Sequence, residues 1–398
     1  MPRRFSSHAL SICISLHISS SEPYWSRSFM FTKLNNIITS LGNSVIAILY
    51  KHNVAAKLIY FSLQAKELLL LRHKYETESK STGMTNAKDT LIVITGPTGS
   101  GKTSAAIDIA LALNTEILSA DSRQIYREIP IGTAAPTPEE LSAVRHHFIA
   151  TKSITEYYSA AQFEQDVLAL LPSIFDRSPS RCAVMCGGSM MYVDAVCNGI
   201  DEMPTIRDDV RDKVKRLYDD CGIEAVIAQL ELLDPAYLAI VDRANHKRLL
   251  HALEICYQSG QPYSSLRTGQ RKQRPFSIIK LGIEMPRQEL FDRINRRVDK
   301  MIENGLEQEA RAVYPLKHLN SLNTVGFKEM FACFDGLMDF NTAVERIKKN
   351  TRVYAKQQVR WFAKDNEMTW LTPDRLTPDN VKSLIAAAHN GRQARLGV

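Results

Sequence analysis

No cysteine framework organises this chain. Its seven cysteines stand at irregular spacings, which excludes a disulfide-stapled scaffold, and Cys182 and Cys186 have no second pair to complete four zinc ligands. Reduced thiols in a cytoplasmic protein are the expectation that follows. No apolar run reaches the roughly 18–20 residues a membrane span needs, so no membrane partner is expected. Internal repeats and low-complexity tracts are absent too, which excludes a solenoid. Nor is there a strong charge excess: 50 basic against 43 acidic residues give a net charge of +7. A polyanionic partner must therefore be argued from where the charge sits.

The 398 residues, 44% of them hydrophobic, suffice for a full core and room for two domains plus extras. Residues 1–83 differ from the rest. They are rich in Ser, Ile and Leu, with scattered charges and no strong helical or strand period. Arg3 and Arg4 ahead of a short apolar run imitate a signal peptide, but serines interrupt that run. Met84 is expected to be the true start, residues 1–83 being an over-extended reading frame; the intact mass of the native protein tests this. The expected organisation beyond it is a core over 84–204, a helical insertion over 205–275, a core return with a basic helical region over 276–375, and a C-terminal helix and tail over 376–398.

Residues 91–95, Leu-Ile-Val-Ile-Thr, empty into Gly96-Pro97-Thr98-Gly99-Ser100-Gly101-Lys102-Thr103, which fits GxxxxGKT with a strand before it and a helix after it. In that setting the pattern reads as a P-loop, a grip for a polyphosphate. The glycines let successive N–H groups curl inward, Lys102 adds a mobile positive charge, and the Thr103 hydroxyl is placed to hold Mg²⁺ at the helix mouth. A helix follows to about Asn114. The next strand, Glu116 to Ala120, ends at Asp121-Ser122-Arg123-Gln124. Strand–helix–strand of this length predicts a parallel sheet, whose ligands sit beyond the carboxyl ends of the strands. Asp121 thus falls on the P-loop's rim, either as a working carboxylate or as a cap for the turn after its strand. A third parallel strand is expected at Cys182–Cys186, running into Gly187-Gly188-Ser189, and a return to the sheet at residues 276–283. Between these, 208–217, 223–233 and 246–257 read as amphipathic helices. The fold class is therefore α/β: a P-loop parallel-sheet core, helices on both faces, with an inserted helical domain.

Charge concentrates in two places. Residues 265–300 carry ten Lys/Arg against four Asp/Glu, and residues 346–364 carry seven basic residues and no acid. In the second, Lys348, Arg352, Lys356, Arg360 and Lys364 recur every fourth residue, one stripe on a helix with a pitch close to that of phosphates along a strand. A solvated face would mix in acids; this one repels itself, which favours nucleic acid. His146-His147 lacks metal-ligand companions and reads as structural. Trp361-Phe362 beside the stripe either packs in the core or stacks on a base.

Taken together, residues from about 91 to 371 resemble bacterial tRNA dimethylallyltransferases. Besides the P-loop, the matches are Asp121-Ser122-Arg123-Gln124-Ile125-Tyr126, Ile131-Gly132-Thr133-Ala134-Ala135-Pro136, Gly187-Gly188-Ser189-Met190-Met191-Tyr192, Val325-Gly326-Phe327-Lys328-Glu329, and Thr351 through Gln358. The resemblance implies that the P-loop holds dimethylallyl diphosphate and that the insertion clasps the anticodon arm of tRNA. It implies transfer of the dimethylallyl group to N6 of the adenine 3′ of the anticodon. Asp121 would be the general base. Lys102, Thr103 with Mg²⁺, and Arg211 would carry the leaving charge, with Ser189 touching substrate or orienting the base. Asp121, Ser122, Arg123 and Gln124 would meet the RNA, as would Lys247, Arg248, Leu249, Leu250 and His251, and the stripe. Departures are Ser189 where Thr is usual, and Lys247 to His251 where Gln-Arg-Leu-Ser-Arg is common, with His251 replacing an arginine. The C-terminal zinc finger of the family's eukaryotic members is missing, which favours the bacterial type. A cytoplasmic monomer is expected. A small-molecule P-loop kinase, an adenylate isopentenyltransferase and a nucleotide-regulated RNA-binding switch are the rival readings.

Overall fold

The computed structural model describes residues 88–390 apart from Glu202. The expectations for residues 1–83 lie outside the described residues. Strand β1 (Thr90–Thr95) is buried at all six positions. Its side chains divide between two cores: Leu91 and Val93 face one, Ile92 and Ile94 the other. A strand covered on both faces needs a continuous apolar run, which is what this segment supplies. β1 pairs in parallel with β4 (Cys182–Cys186) on one side and β5 (Ser277–Ile283) on the other. With β2 (Ile117–Ser119), β3 (His146–His147) and β6 (Met368–Leu371) they form a six-stranded sheet, order β3-β2-β4-β1-β5-β6, parallel at every pairing.

Helices cover both faces. α1 (Lys102–Leu113) packs on the Ile92 side. On the Leu91 side lie α3 (Ala160–Arg177) and α4 (Met190–Asn198), while the short α2 (Pro138–Ala143) precedes β3. The segment before β5 holds α5 (Asp208–Leu233), α6 (Pro235–Leu238), α7 (His246–Ser259) and α8 (Tyr263–Leu266). These helices build their own core from Val214, Val226, Leu230, Leu249 and Leu253. Within α5 the two helices expected at 208–217 and 223–233 meet at a break at Gly222, where φ is 77°. After β5 come α9 (Arg287–Glu303), α10 (Leu306–Val313), α11 (Phe327–Phe334) and the long α12 (Phe340–Phe362); α13 (Pro378–His389) follows β6.

The second strand is shorter than expected. Glu116 and Ala120 lie outside it, though Glu116 O still accepts from Val184 N, and Ala120 donates to Cys186 O and accepts from Ser189 N; the Glu116 carboxylate meets Arg177 and His147. Both chain segments at the root of the helical insertion are tied to the core by one buried pair. Arg274 donates to Glu164 Oε1 at 2.6 Å and to the carbonyls of Ala195 and Val196, while Glu164 Oε2 accepts from Ile200 N.

Candidate active site

The P-loop stands between β1 and α1. Gly96, Gly99 and Gly101 take φ of 147°, 84° and 92°, conformations that a Cβ would strain. Helix α1 opens on Gly101 with no side-chain cap and no acid in its first turn. Its first N–H groups are thus left to an external anion. Lys102 folds back so that Nζ donates to Pro97 O at 2.7 Å. Burial holds its pKa down, to about 8, with Cys186 and Asp121 pulling it up and Arg297 pushing it further down.

Asp121 follows β2 on the same rim. Its Oδ1 accepts from Arg123 N at 2.9 Å and from Gln124 N at 3.3 Å. The two readings of Asp121 are therefore compatible: one oxygen caps the turn, and the residue still lines the cavity. Ser189, buried at the mouth of α4, accepts from Ser122 N at 2.8 Å and donates to Ser122 Oγ at 3.1 Å. It steadies the turn that carries Asp121. Gln124 spends its Nε2 on the carbonyls of Thr133 and Ala134, fixing the following loop rather than pointing a free amide outward.

The cavity so framed measures about 600 Å³. The P-loop, the β2 turn and Gly187-Gly188-Ser189 line it together with residues of α9, α12 and the turn before α11. Arg297 of α9 lines it beside Lys102 and Asp121; burial lowers its pKa and Asp121 counters that. Cys186 and Tyr354 also line it, both pushed up to about 12 by burial, so neither ionises near neutrality. Sequence reasoning missed Arg297, because ten cations between 265 and 300 gave no sign which one turned inward. Its spacing from Ile294 and Val298, both buried on α9, carried that information.

Other expected residues fall elsewhere. Arg211 does not line the cavity: it is exposed on α5, its guanidinium 5.7 Å from the Tyr157 ring. Leu249 is fully buried in the insertion's own core and Leu250 packs against it, so those two side chains hold α7 in place while Lys247, Arg248 and His251 stay exposed. The stripe on α12 is divided. Lys348 pairs with Asp299 at 2.8 Å and Glu345 at 3.1 Å, and Arg352 donates to Asn295. The acids missing from the run 346–364 are thus supplied at this end by α9 and by Glu345, which precedes the run. Lys356 and Arg360 are exposed on α12, Lys356 5.4 Å from the Phe291 ring, whereas Lys364 is exposed in the turn after the helix ends at Phe362 and so leaves the stripe. Phe362 is core and Trp361 donates to Asp194 at 2.8 Å. His147 Nε2 donates to the Glu116 carboxylate at 2.5 Å, and no group of three or more His, Cys, Asp or Glu gathers for a metal among the described residues.

Residues 124–365 match the family model described as IPP transferase. The tRNA dimethylallyltransferase 1 of Phocaeicola vulgatus is 52% identical over 289 residues, 73% of this chain and 96% of that protein. Among solved structures, the full-length tRNA isopentenylpyrophosphate transferase of Bacillus halodurans is 34% identical with a TM-score of 0.52, covering 76% of this chain and 95% of that one. A eukaryotic dimethylallyltransferase acting on tRNA shares the fold, with a TM-score of 0.66 at 24% identity over 77% of this chain and 81% of its own.

Proposed function

The chain belongs to the IPP transferase family, and from that premise we infer that it transfers the dimethylallyl group of dimethylallyl diphosphate to N6 of the adenine 3′ of the anticodon in tRNA. The observation that carries this reading is one cavity in which an uncapped P-loop helix, two cations and a carboxylate converge. The exocyclic amine is a poor nucleophile, since its lone pair is delocalised into the ring. A carboxylate that accepts its proton as the C–N bond forms contributes about 10²–10⁴-fold. Asp121 takes that role, its Oδ1 fixed by the turn and the carboxylate presented to the cavity.

The leaving diphosphate needs neutralisation. The P-loop amides, Lys102 and Arg297 provide it, Arg297 standing where Arg211 was expected. Releasing Lys102 from Pro97 O gives its ammonium a free path to the phosphates. The oxygen donors here, a threonine hydroxyl and phosphate groups brought by the substrate, suit Mg²⁺, which is held through few protein ligands and substrate phosphates. Thr103 would hold it, and when bound it would add charge neutralisation at the diphosphate. Arg123 and Ser122 stand at the rim to meet the adenine, which has to leave the loop stack to enter. Lys356, Arg360 and Lys364, with Lys247, Arg248 and His251 on the insertion, would meet RNA phosphates. No described helix is long and apolar enough to cross a membrane. We propose that it acts on tRNA in the cytoplasm, as a monomer.

The direct test offers the protein radiolabelled dimethylallyl diphosphate, Mg²⁺ and an anticodon stem-loop with adenine 3′ of the anticodon, beside a parallel reaction with ATP. Label should enter the RNA and be lost when that adenine is replaced. Consumption of ATP without labelling of RNA would hand the site to the kinase or switch reading.

A further inference from the structure

Gln358 of α12 is 2% exposed, and both ends of its amide are engaged. Its Oε1 accepts from Thr98 N at 2.8 Å, and its Nε2 donates to Gly188 O at 2.8 Å. A backbone N–H on one side and a carbonyl on the other leave only one orientation for the amide. The two partners belong to different loops of the site. Thr98 is part of the phosphate loop. Gly188 precedes Ser189, whose hydroxyl holds Ser122, and Ser122 follows Asp121. A chain of hydrogen bonds thus runs from the P-loop through Gln358 to the turn that carries the carboxylate. The backbone is bare where the amide enters: a Cβ on Gly188 would stand 2.2 Å from Gln358 Nε2. On the other side of the same turn, a Cβ on Gly187 would stand 2.1 Å from Ala120 O.

We propose that Gln358 is a positioning residue for the transfer, setting the separation between the phosphate cradle and Asp121 while acting on neither substrate directly. This rests on the reading of Asp121 as proton acceptor and of the P-loop as diphosphate cradle. Chemistry between two fixed groups is steep in their spacing, with displacements of about 1 Å costing about 10²-fold. Binding of either substrate alone depends on one half of the site and is far less sensitive. A buried amide that merely satisfied its neighbours would change stability and leave turnover per folded molecule intact.

Two variants separate these cases. Gln358→Met removes both bonds. Gln358→Glu keeps the size and the acceptor for Thr98 N–H, but sets an oxygen against Gly188 O. For each, kcat per folded protein at saturating substrates, stem-loop affinity and, for the Met variant, affinity for inorganic pyrophosphate with Mg²⁺ are measured. The expected result is kcat lowered about 30–100-fold, with stem-loop affinity within about threefold of wild type and pyrophosphate affinity in the Met variant within about fivefold. A kcat within about threefold of wild type in either folded variant overturns the proposal, as does a loss of stem-loop binding as large as the loss of kcat. Should one variant fail to fold, the other decides. Wild-type protein in the same assay keeps the two claims apart: if it transfers no label, the functional reading fails; if it transfers and the variants match it, only the role of Gln358 fails.

Discussion

Asp121 divides its carboxylate between two tasks, and substitution should separate them. Asp121→Ala is expected to lower single-turnover transfer by about 10²–10⁴-fold while stem-loop affinity stays within a few-fold. Normal transfer with weakened binding would remove the proton-acceptor role. Lys102 offers a pH test whose sign is fixed. Its pKa in the free protein is depressed to about 8, and a bound diphosphate raises it, because a nearby negative charge favours the ammonium. Below pH 7 the lysine is protonated in both states and contributes no pH dependence. Above pH 8 it must take up a proton to bind, so pyrophosphate affinity should fall as pH rises. Calorimetry in buffers of differing ionisation enthalpy should report that uptake, and Lys102→Met should abolish it. An uptake unchanged in Lys102→Met would assign the proton to another group.

At the scale of elements, α12 serves two surfaces at once. One side carries Gln358, Ala355 and Phe362 into the interior; another exposes Lys356 and Arg360, with Lys364 exposed in the turn just beyond. Neutralising Lys356 and Arg360 together should make the salt dependence of tRNA binding shallower by about one unit per lost contact. Lys348→Ala should change it much less, since Asp299 and Glu345 already neutralise that ammonium. Equal effects from both would mean that RNA displaces those acids. The strand–P-loop–helix unit, β4 with its glycine turn and the helical insertion were legible in the sequence because each is written in consecutive residues. β3 and β6 were not, for two and four residues become strands only by lying against β2 and β5. The same holds within the site. Lys102, Thr103 and Asp121 could be placed from strand ends, whereas Arg297 and Gln358 enter from helices whose docking no local pattern states. Leu249 shows the reverse error: a residue chosen by its motif neighbours belongs, by its own chemistry, inside.

Across the whole described chain, the helical insertion is anchored at its roots by the Arg274–Glu164 pair, side chains 7% and 6% exposed. Breaking such a pair leaves a buried charge without its partner. Arg274→Met should therefore cost about 3–5 kcal/mol in urea unfolding, near the lower end because Lys272 stands 3.9 Å from the same carboxylate. Adding Glu164→Gln should recover part of that loss; no recovery would show that the carbonyl contacts of Arg274 matter more than its charge. The central place of β1 has another consequence, one of time. β1 is the first described strand to leave the ribosome, yet its neighbours begin at Cys182 and Ser277, and the clamp on its loop lies 260 residues further along. At about 5–20 residues per second, roughly ten to forty seconds separate the synthesis of β1 from that of β5. Both edges of this strand, apolar on both faces, lack a partner until β4 is made, and the edge that β5 will pair stays open to the end of that interval. Nascent chains of this protein are thus expected to depend on shielding of that edge, and substitutions that slow elongation before residue 277 should lower soluble yield without altering the finished enzyme.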